Sequence, residues 1–151
     1  MNIIIVNAAN IKMILTQMQY IYNSKCFKLR GNRMNKISDF SFQISTISVD
    51  ADSTTLNMEA EVGKYGRVYV SITLLSSSSD RNTGTYLGDA RTITEEGEMI
   101  AASLQGLWKR EGTLLHAKGL DNASNGDQNY AESTLDLIKK TWTGAVYDAW
   151  S

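Results

Sequence analysis

The sequence predicts an all-β fold, an antiparallel up-and-down (meander) barrel of about eight strands over residues 37–151. Three observations carry this expectation. From Phe40 onward apolar and polar residues alternate with a period of two, the signature of strands with one buried face. Short segments rich in Gly, Asn, Asp and Ser separate the alternating runs, and the 151-residue chain contains no proline. Eight strands in sequential hairpins leave no exposed edge when the sheet closes on itself.

Taken in order, Phe40, Phe42 and Ile44 share one phase, which then shifts to Ile47 and Val49. Such a shift predicts a bulge at Ser45-Thr46. Asp50 to Ser53 supplies turn chemistry, and Leu56, Met58, Ala60 and Val62 alternate with Asn57, Glu59 and Glu61. Gly63 to Gly66 turns the chain into Val68, Val70, Ile72 and Leu74, and the serine run Ser76 to Ser79 reads as a solvated loop. Thr85 to Ile93, Met99 to Lys109 and Thr113 to Leu120 follow as strands. Glu95-Glu96-Gly97 and Arg110-Glu111-Gly112 read as three-residue loops ending in a left-handed glycine. Asp121 to Asn129 reads as a polar loop. Tyr130 to Ile138 and Trp142 to Trp150 form the last hairpin, turning at Lys139 to Thr141.

Those loop lengths fix a register, in which Thr94 faces Glu98 and Lys109 faces Thr113. One face then carries Tyr86, Gly88, Ala102, Leu104, Gly106 and Trp108, together with His116 and Lys118 from the next strand. His116 is expected opposite Gly106, and the small residues Gly88, Ala102 and Gly106 are expected to leave room for a ligand. The opposite face carries Asp89, Arg91, Ser103 and Gln105. Desolvation on an apolar face would depress the Lys118 ammonium, and His116 beside it would suit acid–base work. The competing interpretation has Lys118 reaching to the rim and His116 as an ordinary core residue. Asp89 and Arg91 with Ser103 and Gln105 are the alternative polar site, competing with a plain surface ion pair.

The glycine-punctuated strands Gly84-Thr85-Tyr86-Leu87-Gly88-Asp89-Ala90-Arg91 and Gly106-Leu107-Trp108, with Glu96-Gly97 and Arg110-Glu111-Gly112, resemble the calycin-type barrels, in particular those of allene oxide cyclases and dirigent proteins. The resemblance spans roughly Phe40 to Trp150. It implies a barrel, often oligomeric, whose interior holds an apolar small molecule. It assigns no catalytic residue, and the lipocalin Gly-x-Trp start is absent.

Residues 1–36 differ in character. Six basic residues and no acidic one precede Asp39, whereas nine basic and sixteen acidic residues follow from that point. Ile11, Ile14, Leu15, Met18, Ile21 and Tyr22 fall at helical spacing. This basic extension reads as a targeting segment, as a packed helix, or as a product of start-site choice with Met34-Asn35-Lys36 as the start, the last being favoured. Its charges are scattered, so no nucleic-acid partner is expected.

Composition narrows the chemistry. The longest clean apolar run, Ile3 to Val6, falls far short of the ~20 residues of a membrane helix, so no membrane partner is expected. One cysteine and one histidine exclude a Cys/His zinc site. Asp121, Asn125, Gly126 and Glu132 occupy positions of a calcium-loop pattern, but Ala123 stands where an oxygen ligand belongs, which favours a polar turn. No nucleophile elbow, phosphate-binding glycine loop or paired-carboxylate motif occurs. The expectation is a cytoplasmic barrel without cofactor that binds a small apolar ligand, alone or as a homo-oligomer. A cyclase- or isomerase-type enzyme and a structural or self-association module with a filled core are the alternatives.

Overall fold

Alternation is realised as expected. In β2 (Ser53–Glu61) Leu56, Met58 and Ala60 are buried while Asn57 and Glu61 are exposed. In β3 (Arg67–Ser76) Val70, Ile72 and Leu74 are buried between exposed Tyr69, Ser71 and Leu75. The same pattern runs through β1 (Lys36–Val49) as far as Ile44, beyond which Ile47 and Val49 are exposed, and through β4 (Thr83–Ile93), β5 (Met99–Glu111), β6 (Leu114–Ala123), β7 (Gln128–Asp136) and β8 (Thr141–Asp148). The computed structural model describes residues 34–151; the basic extension and its helical stripe at 11–22 lie outside the described residues.

Each strand pairs antiparallel with its neighbour in sequence, and β1 pairs with β8 to close the barrel. The only helical turn among the described residues is a single 3-10 turn, Gly63–Tyr65, between β2 and β3. No helix among them is long and apolar enough to cross a membrane. The bulge lies where the phase shift put it, between Ile44 and Thr46. The Ser45 hydroxyl there donates to the Asn57 carbonyl at 2.9 Å.

The β4–β5 hairpin has the expected three-residue loop. The Thr94 N–H donates to the Glu98 carbonyl, and Gly97 sits at φ 84°. The β5–β6 hairpin does not. Glu111 faces Leu114 across a two-residue turn, Gly112-Thr113, with Gly112 at φ 61°. A glycine with positive φ suits the first position of a type II′ turn as well as the last position of a three-residue loop. The pairing therefore moves by an odd number of residues, and β6 presents its opposite face. Leu115, Ala117 and Gly119 point inward, and His116, Lys118 and Leu120 point outward. Gly106 faces Gly119, not His116.

Two further boundaries differ. β6 continues to Ala123 and β7 begins at Gln128, so the expected polar loop shrinks to Ser124–Asp127 and carries Gly126 at φ 92°. β7 ends at Asp136, whose carboxylate accepts the N–H groups of Ile138 and Lys139 at 3.1 and 3.0 Å, and Lys140 takes φ 55° in the turn.

Inward glycines are covered by aromatic rings. Gly84 faces Trp108 and Gly106 faces Tyr86 across the β4–β5 ladder. A Cβ on Gly84 would lie 2.5 Å from the Trp108 ring, one on Gly106 2.5 Å from the Tyr86 ring, and one on Gly119 would collide with the Tyr86 hydroxyl. The space left by the missing side chains is therefore filled by the protein itself, correcting the expectation that Gly106 leaves room for a ligand. Gly88 is likewise occupied, by Ile72. Trp108 is buried, and its indole N–H donates to the Thr85 carbonyl at 2.9 Å. Leu56, Ile72 and Leu135 are wholly buried in the interior.

Candidate functional site

One end of the barrel is not filled. It is the end formed by the β2–β3 turn, the β4–β5 hairpin and the β6–β7 loop. A cavity of about 80 Å³ lies there, walled by Phe40 and Phe42 of β1, Val70 of β3, Ala90 of β4, Ala102 and Leu104 of β5, and Trp142 and Val146 of β8. The aromatic wall is tight. The Phe40 and Phe42 rings meet edge-on at 5.4 Å, and Trp142 lies 5.4 Å from Phe40 and 5.6 Å from Phe42. The buried Trp142 indole nitrogen has no hydrogen-bond partner among the described residues.

Five polar residues also line this cavity: Asp121 of β6, Asn129 of β7, Arg91 and Thr92 of β4 and Tyr65 of the 3-10 turn. All but Asp121 are engaged. The Arg91 guanidinium donates to the Ala90 carbonyl at 2.7 Å. Thr92 Oγ1 lies 2.6 Å from the Tyr65 carbonyl and 2.7 Å from that of Arg67, and its proton is shared between them. The Tyr65 hydroxyl donates to Asp127 at 2.7 Å, and the Asn129 amide donates to that hydroxyl at 3.3 Å. Lys64 Nζ lies 2.8 Å from the same Asp127 carboxylate. This network ties the β2–β3 turn to the β6–β7 loop at the mouth. The hydrogen bond from Lys64, with that from Tyr65, holds the Asp127 carboxyl down at about 2.

Asp121 is different. It faces Leu104 across the β5–β6 ladder and belongs to the inward row of Leu115, Ala117 and Gly119. Among the described residues its carboxylate has no ion-pair partner. Burial alone pushes its pKa up to about 6, with no cation or donor to offset it. Nearby, burial and the Asp121 charge push the Tyr86 phenol up. A carboxyl in this setting pairs with a cation, accepts a hydrogen bond, or when protonated donates one. It sits where general-acid groups of raised pKa are found, although a lone carboxyl supplies only one of the roles a reaction needs.

The sequence-predicted residues divide. Tyr86, Gly88, Ala102, Leu104, Gly106 and Trp108 face the interior, and of these Ala102 and Leu104 line the cavity. His116 and Lys118 are on the outer wall, because of the β5–β6 register. There they join Leu107, Glu132 and Thr134 around an open depression of about 830 Å³. Its ionisable groups are already partnered. Lys118 Nζ pairs with Glu132 at 2.9 Å, which raises the ammonium pKa instead of depressing it. His116 Nδ1 shares a 3.2 Å hydrogen bond with Thr134, and its Nε2 lies 3.6 Å from Glu111. Asp89, Arg91, Ser103 and Gln105 are all on the outer face, with Arg91 and Asp89 4.0 Å apart and largely exposed; of the four, Arg91 also borders the cavity. Asp121 and Glu132 point to opposite sides of the wall, inward and outward, so the calcium-loop spacing does not gather them around one ion.

Sequence reasoning missed Asn129, Thr92 and Tyr65, and met Asp121 only as a loop residue at calcium-ligand spacing. A polar stretch from Asp121 to Asn129 looks like loop, and only the continued pairing of β6 with β5 turns Asp121 inward. The legible signal was the alternation Leu115, Ala117, Gly119, which Asp121 and Ala123 continue. Comparison of the chain with protein-family models, with curated proteins and with solved structures finds no match in any of the three.

Proposed function

We propose that the open end of the barrel binds a small, largely apolar molecule, with Asp121 as its charged anchor. The observation that carries this is an inward carboxyl without a partner in an apolar cavity. Burial of an unpaired ionisable group is costly, and such groups concentrate at functional sites. The size of the cavity limits what enters. At about 80 Å³ it is half the ~150 Å³ apolar cavity that accommodates benzene, so one end of a ligand enters and the rest lies across the mouth. Titrating small alcohols, ketones and amines into the protein tests the proposal, with the Asp121 carboxyl carbon and the Trp142 indole followed by NMR. Perturbation confined to Asp121, Trp142 and Phe42 is the expected result.

A second reading, a structural module with a filled core, draws on the rest of the interior, where Leu56, Ile72 and Leu135 are wholly buried. It takes over if no compound in the panel perturbs the cavity resonances.

A further inference from the structure

We infer that the ligand carries an amine: the cavity takes the ammonium end of a small hydrophobic amine, with Asp121 as counter-ion and the Phe40, Phe42 and Trp142 rings as its wall. This rests on the ligand-binding reading above and names the chemistry of that same site. Two independent features of the geometry converge. The first is the carboxylate itself. A neutral ligand that closed the mouth would complete the burial of Asp121 while supplying no opposite charge. An ammonium supplies both the charge and hydrogen-bond donors. The second is the aromatic wall. Three rings with centroids within 5.6 Å of one another line the same cavity, and cations are favoured over aromatic faces once desolvated. The protein's own cations near the mouth do not take this place. Lys64 is held by Asp127, and Arg91 lies beside Asp89 with its guanidinium donating to the Ala90 carbonyl at 2.7 Å. Anionic ligands are disfavoured by the same carboxylate.

The test compares n-hexylamine with n-hexanol, which share a chain and differ in the head group. NMR titration of the full-length protein and of Asp121→Asn gives affinity and location together. The expected result is at least tenfold tighter binding of the amine, with shifts at Trp142, Phe42 and Ala102, and loss of that preference in Asp121→Asn. Should the amide variant fail to fold, Asp121→Ser carries the same readout. Equal binding of both compounds, or an amine preference that survives in the variant, overturns the amine inference and leaves the apolar-ligand proposal standing. Absence of binding by either compound at the cavity overturns both.

Discussion

At the scale of single residues, Asp121 and Asp127 stand six positions apart and respond to pH in opposite senses. The Asp127 carboxyl is held at about 2, below its ordinary 3.8, so the folded state favours its ionised form. That contribution is present above about pH 4 and is lost as pH falls toward 2. It is modest, because Lys64 is half exposed and solvent screens the pair. The Asp121 carboxyl is raised to about 6, so the folded state holds its proton more tightly than the unfolded chain does. Stability from this group is full below about pH 4 and declines as pH rises to about 6, after which it is flat. Complete burial would make the loss about 3 kcal/mol at ~1.4 kcal/mol per pKa unit, and the partial solvent contact of Asp121 reduces it to about 1–2 kcal/mol. Asp121→Asn therefore stabilises the protein by about that amount at pH 7 and by nearly nothing at pH 4. Urea denaturation at the two values checks this; an equal effect at both would mean that the carboxyl is solvated and that the cavity has no buried anchor.

At the scale of elements, the hairpins explain what could be read from the sequence and what could not. The β4–β5 register was legible because Gly97 has one comfortable place, the left-handed end of a three-residue loop. From it the pairs Gly84–Trp108 and Tyr86–Gly106 follow. Arg110-Glu111-Gly112 has the same pattern, yet Gly112 opens a two-residue turn. Local sequence does not separate these loops; what separates them is the inward row of Leu115, Ala117 and Gly119, with Gly119 fitting under Tyr86. Trp108, Tyr86 and Leu104 were thus legible as interior residues, whereas His116, Lys118 and Asp121 were assigned to the wrong side or to a loop by one shifted turn. The same fit yields a prediction. Gly119→Ala drives a methyl into the Tyr86 hydroxyl and destabilises by about 1–3 kcal/mol, the usual range for overpacking. In a Tyr86→Phe background the same substitution costs less, since the colliding oxygen is gone. Trp108→Ala, by contrast, empties the space over Gly84 and costs about 3–5 kcal/mol. Chemical denaturation of the four proteins of the cycle, with Trp108→Ala beside them, reads all these effects; an unchanged cost of Gly119→Ala without the hydroxyl rules out the Tyr86 placement.

At the scale of the whole molecule, closure governs independence. An open sheet leaves two edges whose N–H and C=O groups need partners. Here β1 spends both of its sides within residues 34–151. It pairs with β2 from Gln43 to Val49 and with β8 from Lys36 to Gln43. The Asn35 N–H donates to Ser151 Oγ at 2.7 Å, and the Asp148 N–H donates to the Asn35 carbonyl at 2.9 Å, so the ends of this stretch are tied to each other. The apolar side chains of the barrel bury one another in the same way, with Phe40 and Phe42 against Trp142. A fragment spanning residues 34–151 consequently has every sheet edge satisfied and its core complete. It folds cooperatively, with a melting temperature within a few degrees of that of the full chain. Because the closing pairs, such as Ser41 with Thr143, are far apart in sequence, both proteins fold slowly for their size. Thermal melts and stopped-flow refolding of fragment and full chain test this together. A drop of ten degrees or more, or loss of cooperativity in the fragment, would show that the first 33 residues contribute to the core, and the barrel would no longer count as self-sufficient.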